Sequence, residues 1–165
     1  MLRHDTRACL GKALFPAAIT ILAGIDLVAK FYEGSDQGAV GARFKRFVAM
    51  YSPTSPEEAT VLYHLRNALL HSFGLYSAHW KRAKRAPPTL EAEYWFILHA
   101  GPSGTGSIVE RHGGRYFVGI QTLHAWFESA LESYRRELAD NPDLQSKFMR
   151  MWPKYGYIQQ RSTMP

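Results

Sequence analysis

Cysteine is almost absent from this sequence. Cys9 is the single cysteine among 165 residues, so the chain cannot form an internal disulfide. One thiol also excludes a metal site built from cysteines alone, and such low usage fits a reducing compartment. Internal repeats are absent too, and the only low-complexity feature is a short basic tract. We therefore expect a cytoplasmic protein.

Long hydrophobic runs are also lacking. The apolar stretch Ala13–Ile25 has thirteen residues, fewer than the roughly 20 that a helix needs to cross a bilayer. Arg3 and Arg7 precede it as they would in a signal peptide, but Asp26 and Lys30 follow it without a small-residue cleavage pattern. We expect neither a membrane span nor a cleaved leader.

Acidic residues are fewer than basic ones. The chain has 14 Asp and Glu against 20 Lys and Arg, a net charge of +6, and its seven histidines add positive charge at acidic pH. This balance suits an acidic partner such as nucleic acid, although basic proteins that bind no polyanion also exist. The length fits a single domain over residues 1–165, with about two-thirds of the unfolded surface buried on folding.

Apolar residues recur at helical spacing in five segments. Ser55, Pro56 and Glu58 form a capping-box start for the third of them. The predicted helices are 9–33, 39–51, one from Pro56 to about Tyr76 or Ala78, 121–138, and one that follows Asn141 and ends near Trp152.

The periodicity changes in the middle of the chain. We interpret residues 81–88 as a break, because three cations precede two prolines there. Short aromatic and β-branched runs at 94–98, 107–109 and 116–120 then predict strands joined by glycine turns. The expected fold is mainly α: a bundle of about five helices with a small antiparallel β insert, about 93–120, between the third and fourth helices.

The third predicted helix carries Arg66-Asn67 followed by His71. This pattern resembles the R-x4-H motif of the HEPN superfamily in its common Arg-Asn form. The resemblance implies a single HEPN-like domain that cleaves RNA without metal or other cofactor at a homodimer cleft. It also implies a toxin or phage-defence effector, regulated by an antitoxin or another partner protein.

The chemistry of these side chains agrees with that expectation. The imidazole of His71 can act as the base that takes a proton from a ribose 2′-hydroxyl. Arg66 can neutralise charge on the phosphoryl oxygens, and Asn67 can orient the imidazole or the phosphate. The rival hypotheses are a non-catalytic module of the same fold that binds nucleotide, RNA or protein, and a structural protein in which these residues only pack.

Helical geometry leaves the role of Arg66 open. His64, Asn67 and His71 share one stripe, which is also typical of a solvated face. Arg66 lies about 140° from His71 on an ideal helix, beside the core-facing leucines. It must either reach around the helix toward His71 or pair with an acid inside, for which Asp26 is the candidate. A two-fold axis that brings together two chains is another way to join the arginine and the histidine.

A basic tract follows the motif. Trp80, Lys81, Arg82, Lys84 and Arg85 are candidate RNA-binding residues, because cations track phosphates and an indole stacks on a base. The alternative is a solvated basic loop. We expect no metal site, because His99, His112 and His124 lack ligand-pair spacing.

One position departs from the family pattern. Some HEPN proteins continue the motif with a tyrosine that a partner antitoxin modifies, whereas Phe73 stands at that place here. Regulation through that hydroxyl is therefore not expected.

Overall fold

The computed structural model describes residues 9–10, 13–83, 86–104 and 106–156. Five helices and four strands lie within these ranges. The helices are α1 (Leu14–Glu33), α2 (Val40–Tyr51), α3 (Pro56–Ser72), α4 (Ile120–Asp140) and α5 (Pro142–Tyr155). The strands are β1 (Tyr76–Ala83), β2 (Ala86–His99), β3 (Val109–His112) and β4 (Arg115–Gly119).

The predicted start of α3 is confirmed, but its predicted end is wrong. The Ser55 hydroxyl accepts from the Glu58 N–H at 3.1 Å, and the Glu58 carboxylate accepts from the Ser55 N–H at 2.8 Å. The helix ends at Ser72, because Phe73 takes the left-handed conformation with φ 48° and ψ 36°. Residues from Tyr76 onward belong to β1 rather than to a longer helix.

The expectation of a small antiparallel insert is also wrong. The four strands form one mixed sheet in the order β1-β2-β4-β3, in which β2 and β4 run parallel. β2 alone has 14 residues, so the sheet is a substantial part of the fold. It begins at Tyr76, well before the expected boundary near residue 93.

The prolines explain why the sequence predicted a break at 81–88 rather than a strand pair. The pairing of β1 with β2 shifts between Lys81↔Thr89 and Ala83↔Ala86, so Pro87 and Pro88 fall at an irregularity of the ladder. Proline has no N–H to donate and is tolerated at such positions. A strand pair can therefore hold residues that would end a helix.

The core lies between the helices and one face of the sheet. Ile21, Leu22 and Ile25 of α1 are fully buried at its centre. The remaining fully buried large apolar side chains come from the other long helices: Phe44, Phe47, Leu62, Leu65, Leu69, Ile120, Leu123 and Phe127. Phe96 and Val118 bring the inner face of the sheet into this core.

α1 is long and apolar enough, by length and composition, to cross a membrane. The thirteen-residue run begins at the N-cap, Ala13, and continues into a helix of 20 residues, so its shortness does not argue against a membrane span for α1. In this fold 44% of its most apolar window is buried inside the protein, and core helices of soluble proteins meet the same criterion.

Candidate functional site

The two faces of α3 divide core from site. Leu62, Leu65 and Leu69 are fully buried on the core face. Asn67 and His71 lie on the opposite face and line a cleft. The capping box fixes where the helix begins, and therefore which residues face the cleft.

Arg66 joins the two helices that carry the predicted site. Its Nη2 donates to Oδ2 of Asp26 on α1 at 2.6 Å, with both side chains only 12–13% exposed. Its Nη1 donates to Oδ1 of Asn67 at 3.0 Å and lies 2.9 Å from Nε2 of His71. The sequence-based alternatives therefore both hold, since one guanidinium pairs with the internal acid and also reaches the histidine.

The contact with Arg66 fixes the proton positions on His71. A guanidinium only donates hydrogen bonds, so Nε2 of His71 accepts this one and is unprotonated. In the neutral ring the proton then lies on Nδ1. The exposed His71 ring is held by a cation that is itself held by the Asp26 carboxylate.

The ion pair is incompletely hydrogen bonded. Within the described residues, Oδ1 of Asp26 and Nε of Arg66 are buried without a hydrogen-bond partner. Buried polar atoms of this kind cost stability. The arrangement of Asp26 and Arg66 therefore does not maximise the stability of the fold.

A cleft of about 810 Å³ lies beside this group. It is bounded by Lys45 of α2, by one face of α3 between Thr60 and Ser72, by residues 76–80 of β1, and by Tyr94 of β2. None of the described residues that line it carries a carboxylate, whereas one lysine and three histidines do line it. Cationic and aromatic side chains together suit an anionic ligand with flat rings.

His64 forms part of the cleft wall and is only 7% exposed. Its ring stacks on Tyr94 with centroids 3.9 Å apart, and Nδ1 lies 3.1 Å from Oγ of Ser77. Burial, followed by the nearby His79 and Lys45, lowers the pKa of His64 from 6.5 to about 4. His64 is therefore neutral at pH 7 and serves to hold α3 against the sheet.

The predicted RNA-binding residues do not all lie in the cleft. Trp80 lines the cleft with 52% of its surface exposed. Lys81 points to Glu91, with Nζ 3.6 Å from the carboxylate. Lys84 and Arg85 lie outside the described residues, as does the side chain of Arg82.

Sequence reasoning missed three residues of the cleft. Lys45, His79 and Tyr94 line the cleft, but nothing in their spacing along the sequence connects them with the motif. The missing information was that residues after Ser72 turn back as a strand beside α3. The available signal was the spacing of Ser77 and His79, which are two residues apart and therefore lie on the same face of a strand.

The other histidines lie elsewhere. His112 pairs with Glu110 at 3.5 Å, and His124 lies 4.0 Å from Glu128. In the part of the chain that the structure describes, no group of three or more His, Cys, Asp or Glu side chains is arranged to hold a metal ion.

The R-x4-H pattern is thus brought together in space with Asp26, and Asn67 and His71 of this group line the cleft. Comparisons of the chain with protein-family models, with curated proteins and with solved structures return no match.

Proposed function

We propose that this protein is a metal-independent endoribonuclease of HEPN type. The observation that carries the proposal is the contact of the Arg66 guanidinium with both Asn67 and His71 beside the cleft. A cation next to an unprotonated imidazole supplies the two groups that 2′-hydroxyl attack on a phosphate requires.

In the proposed reaction, a substrate phosphate takes the place of His71 as acceptor from Nη1 of Arg66. This exchange frees the lone pair on Nε2 of His71, which takes the proton of the 2′-hydroxyl. The O2′–P bond forms, the P–O5′ bond breaks, and the 5′-oxygen receives a proton from the imidazolium or from water. The products are a 2′,3′-cyclic phosphate and a 5′-hydroxyl.

Asp26 acts here as a positioning residue. Its carboxylate holds Nη2 of Arg66, which leaves Nη1 directed at Asn67 and His71. The same pair keeps a nearly buried guanidinium from being an uncompensated charge.

The resemblance to HEPN toxins extends the proposal to the cell. We infer a cytoplasmic homodimer that slows growth when it is expressed without a regulatory partner protein. Because Arg66 reaches His71 within one chain, a mixture of Arg66→Ala and His71→Ala proteins should stay inactive. Activity in the mixture would instead mean that each site takes its two residues from different chains.

A non-catalytic RNA- or nucleotide-binding module is the second candidate. The observation in its favour is that Arg66 is 12% exposed and already bonded to Asp26, Asn67 and His71. Such a guanidinium can shape the cleft without touching a phosphate. This candidate predicts RNA binding with no cleavage.

The test is incubation of the purified protein with structured and unstructured RNA in EDTA, followed by analysis of the new ends. The proposal predicts cleavage that leaves cyclic phosphate ends, and loss of each cut when 2′-deoxyribose replaces the ribose on its 5′ side. Bound but intact RNA would favour the binding module. Cleavage that survives the 2′-deoxy substitution would overturn the proposed mechanism.

A further inference from the structure

Lys45 lies in the cleft but has no role in the proposed reaction. It comes from α2 and lines the same cavity as His71. Among the described residues, no carboxylate forms an ion pair with its ammonium group. A cation directed into a cleft without a protein counter-charge is available to a ligand.

The helix packing places Lys45 beside the part of α3 that precedes His71. Gly41 abuts the ring of Tyr63, since a Cβ at Gly41 would lie 2.7 Å from Cε1 of that tyrosine. Lys45 follows one turn later on α2, and its charge acts on His64. His64 precedes His71 by seven residues, which is about 10 Å along the axis of α3.

A nucleic acid strand can span that separation. Each nucleotide of a stacked strand adds about 3.4 Å, so about 10 Å corresponds to roughly three nucleotides. A cleft of about 810 Å³ lies at the large end of ligand sites. A phosphate bonded to Arg66 beside His71 therefore leaves the part of the cleft near Lys45 for another phosphate of the same strand.

His79 lies in the same part of the cleft as Lys45. Its ring lies edge-on to that of His64, with centroids 5.8 Å apart, and it is half-exposed to the cleft. Glu91 lies 3.4 Å from Nε2 of His79 and partly offsets its charge when the ring is protonated. Lys45 is accordingly the principal cation of this part of the cleft, with His79 as a second donor.

We propose that Lys45 and His79 form a second phosphate subsite, about two helical turns from His71, so that the cleft binds a single strand of at least three nucleotides. The subsite rests on the proposed function in that the scissile phosphate lies at Arg66. It adds that the substrate is recognised through a phosphate remote from the cleavage point.

Binding of uncleavable strands tests the subsite separately from cleavage. Fluorescein-labelled deoxyuridine oligonucleotides of two and of five nucleotides are titrated with the full chain at several salt concentrations. We expect wild type to bind the longer strand about tenfold more tightly, the effect of one charge-assisted hydrogen bond. Lys45→Ala should lose most of that gain, and its salt slope should fall by about one.

Two matched variants accompany Lys45→Ala. Lys45→Arg keeps the charge and should keep the gain, whereas Lys147→Ala removes one charge from α5, away from the cleft, and should behave as wild type. An equal gain in wild type and Lys45→Ala, or no gain in wild type, would overturn the subsite. If the oligonucleotides bind as expected but the protein does not cleave RNA in EDTA, the proposed function is refuted and the phosphate subsite is supported.

Discussion

Nη1 of Arg66 lies 2.9 Å from Nε2 of His71, five residues further along the same helix. Ideal helix geometry separates the two by about 140°, and the long arginine side chain spans that angle. One chain therefore brings the arginine and the histidine together without a two-fold axis. A dimer remains a prediction from the family resemblance alone.

The anchor of this contact is the Asp26–Arg66 pair. Asp26→Asn keeps the size of the side chain but leaves a nearly buried guanidinium without its counter-charge. We expect the free energy of unfolding to fall by about 2–3 kcal/mol in urea titrations. Glu33→Gln, which weakens the exposed pair with Arg46, should cost less than about 1 kcal/mol. Equal losses in the two variants would contradict the account of Arg66.

Trp80 and Trp95 provide a matched comparison for ligand binding. Their exposed fractions are 52% and 51%, but only Trp80 lines the cleft with His71. Trp80→Ala should weaken binding of a single-stranded oligonucleotide about tenfold, because base stacking on an aromatic ring contributes roughly 1–3 kcal/mol. Trp95→Ala should leave the affinity near that of wild type, as measured by fluorescence anisotropy. A larger effect from Trp95 would place the ligand on the other face of the sheet.

His64 predicts a pH dependence of stability. Its folded-state pKa of about 4 lies below the ordinary 6.5, so the unfolded chain binds a proton that the folded chain does not. Above pH 6.5 the free energy of unfolding does not depend on this difference in pKa. As pH falls toward 4, protonation of His64 in the unfolded chain lowers the free energy of unfolding. The loss is on the order of 2 kcal/mol. In urea titrations the free energy of unfolding of wild type should fall relative to that of His64→Phe as pH is lowered across that window, and parallel pH profiles would contradict the role of His64.

Phe73 carries backbone strain at the end of α3. Its φ of 48° lies in the left-handed region, and its side chain is 76% exposed. Phe73→Gly should raise the free energy of unfolding by about 0.5–1 kcal/mol, because glycine adopts this conformation without steric cost. Phe73→Ala removes the ring but keeps the strain, and should give no such gain in thermal unfolding. Equal stability of the two variants would contradict this explanation.

The helices were largely predictable, because apolar periodicity and caps are local signals. Asn141, for example, accepts from the N–H groups of Asp143 and Leu144 and begins α5 where the sequence predicted. The end of α3 was missed because a phenylalanine, an unfavourable residue there, takes the left-handed cap position, and the glycine that could have signalled the end, Gly74, lies one residue later.

The sheet was underestimated because its longest part contains residues that weaken strand signals. Charged residues and two prolines occur in 81–88 and weaken the sequence signal for a strand, yet residues 81–83 and 86–88 belong to the strand pair β1–β2. Asp26 was predictable as the partner of Arg66, since an acid on an apolar helix face needs a cation. Lys45, His79 and Tyr94 were not, because their place in the cleft depends on the path of β1 and β2.

The most direct measurement is the single-turnover cleavage rate of RNA in EDTA by wild type, Arg66→Ala and His71→Ala, with His112→Ala as a histidine control outside the cleft. Urea titrations establish that each variant is folded. We expect both site variants to lose at least about a hundredfold in rate, the usual contribution of a positioned acid–base group, while His112→Ala keeps the wild-type rate. Cleavage by His71→Ala at the wild-type rate would contradict the assignment of His71 as the base and, with it, the proposed function.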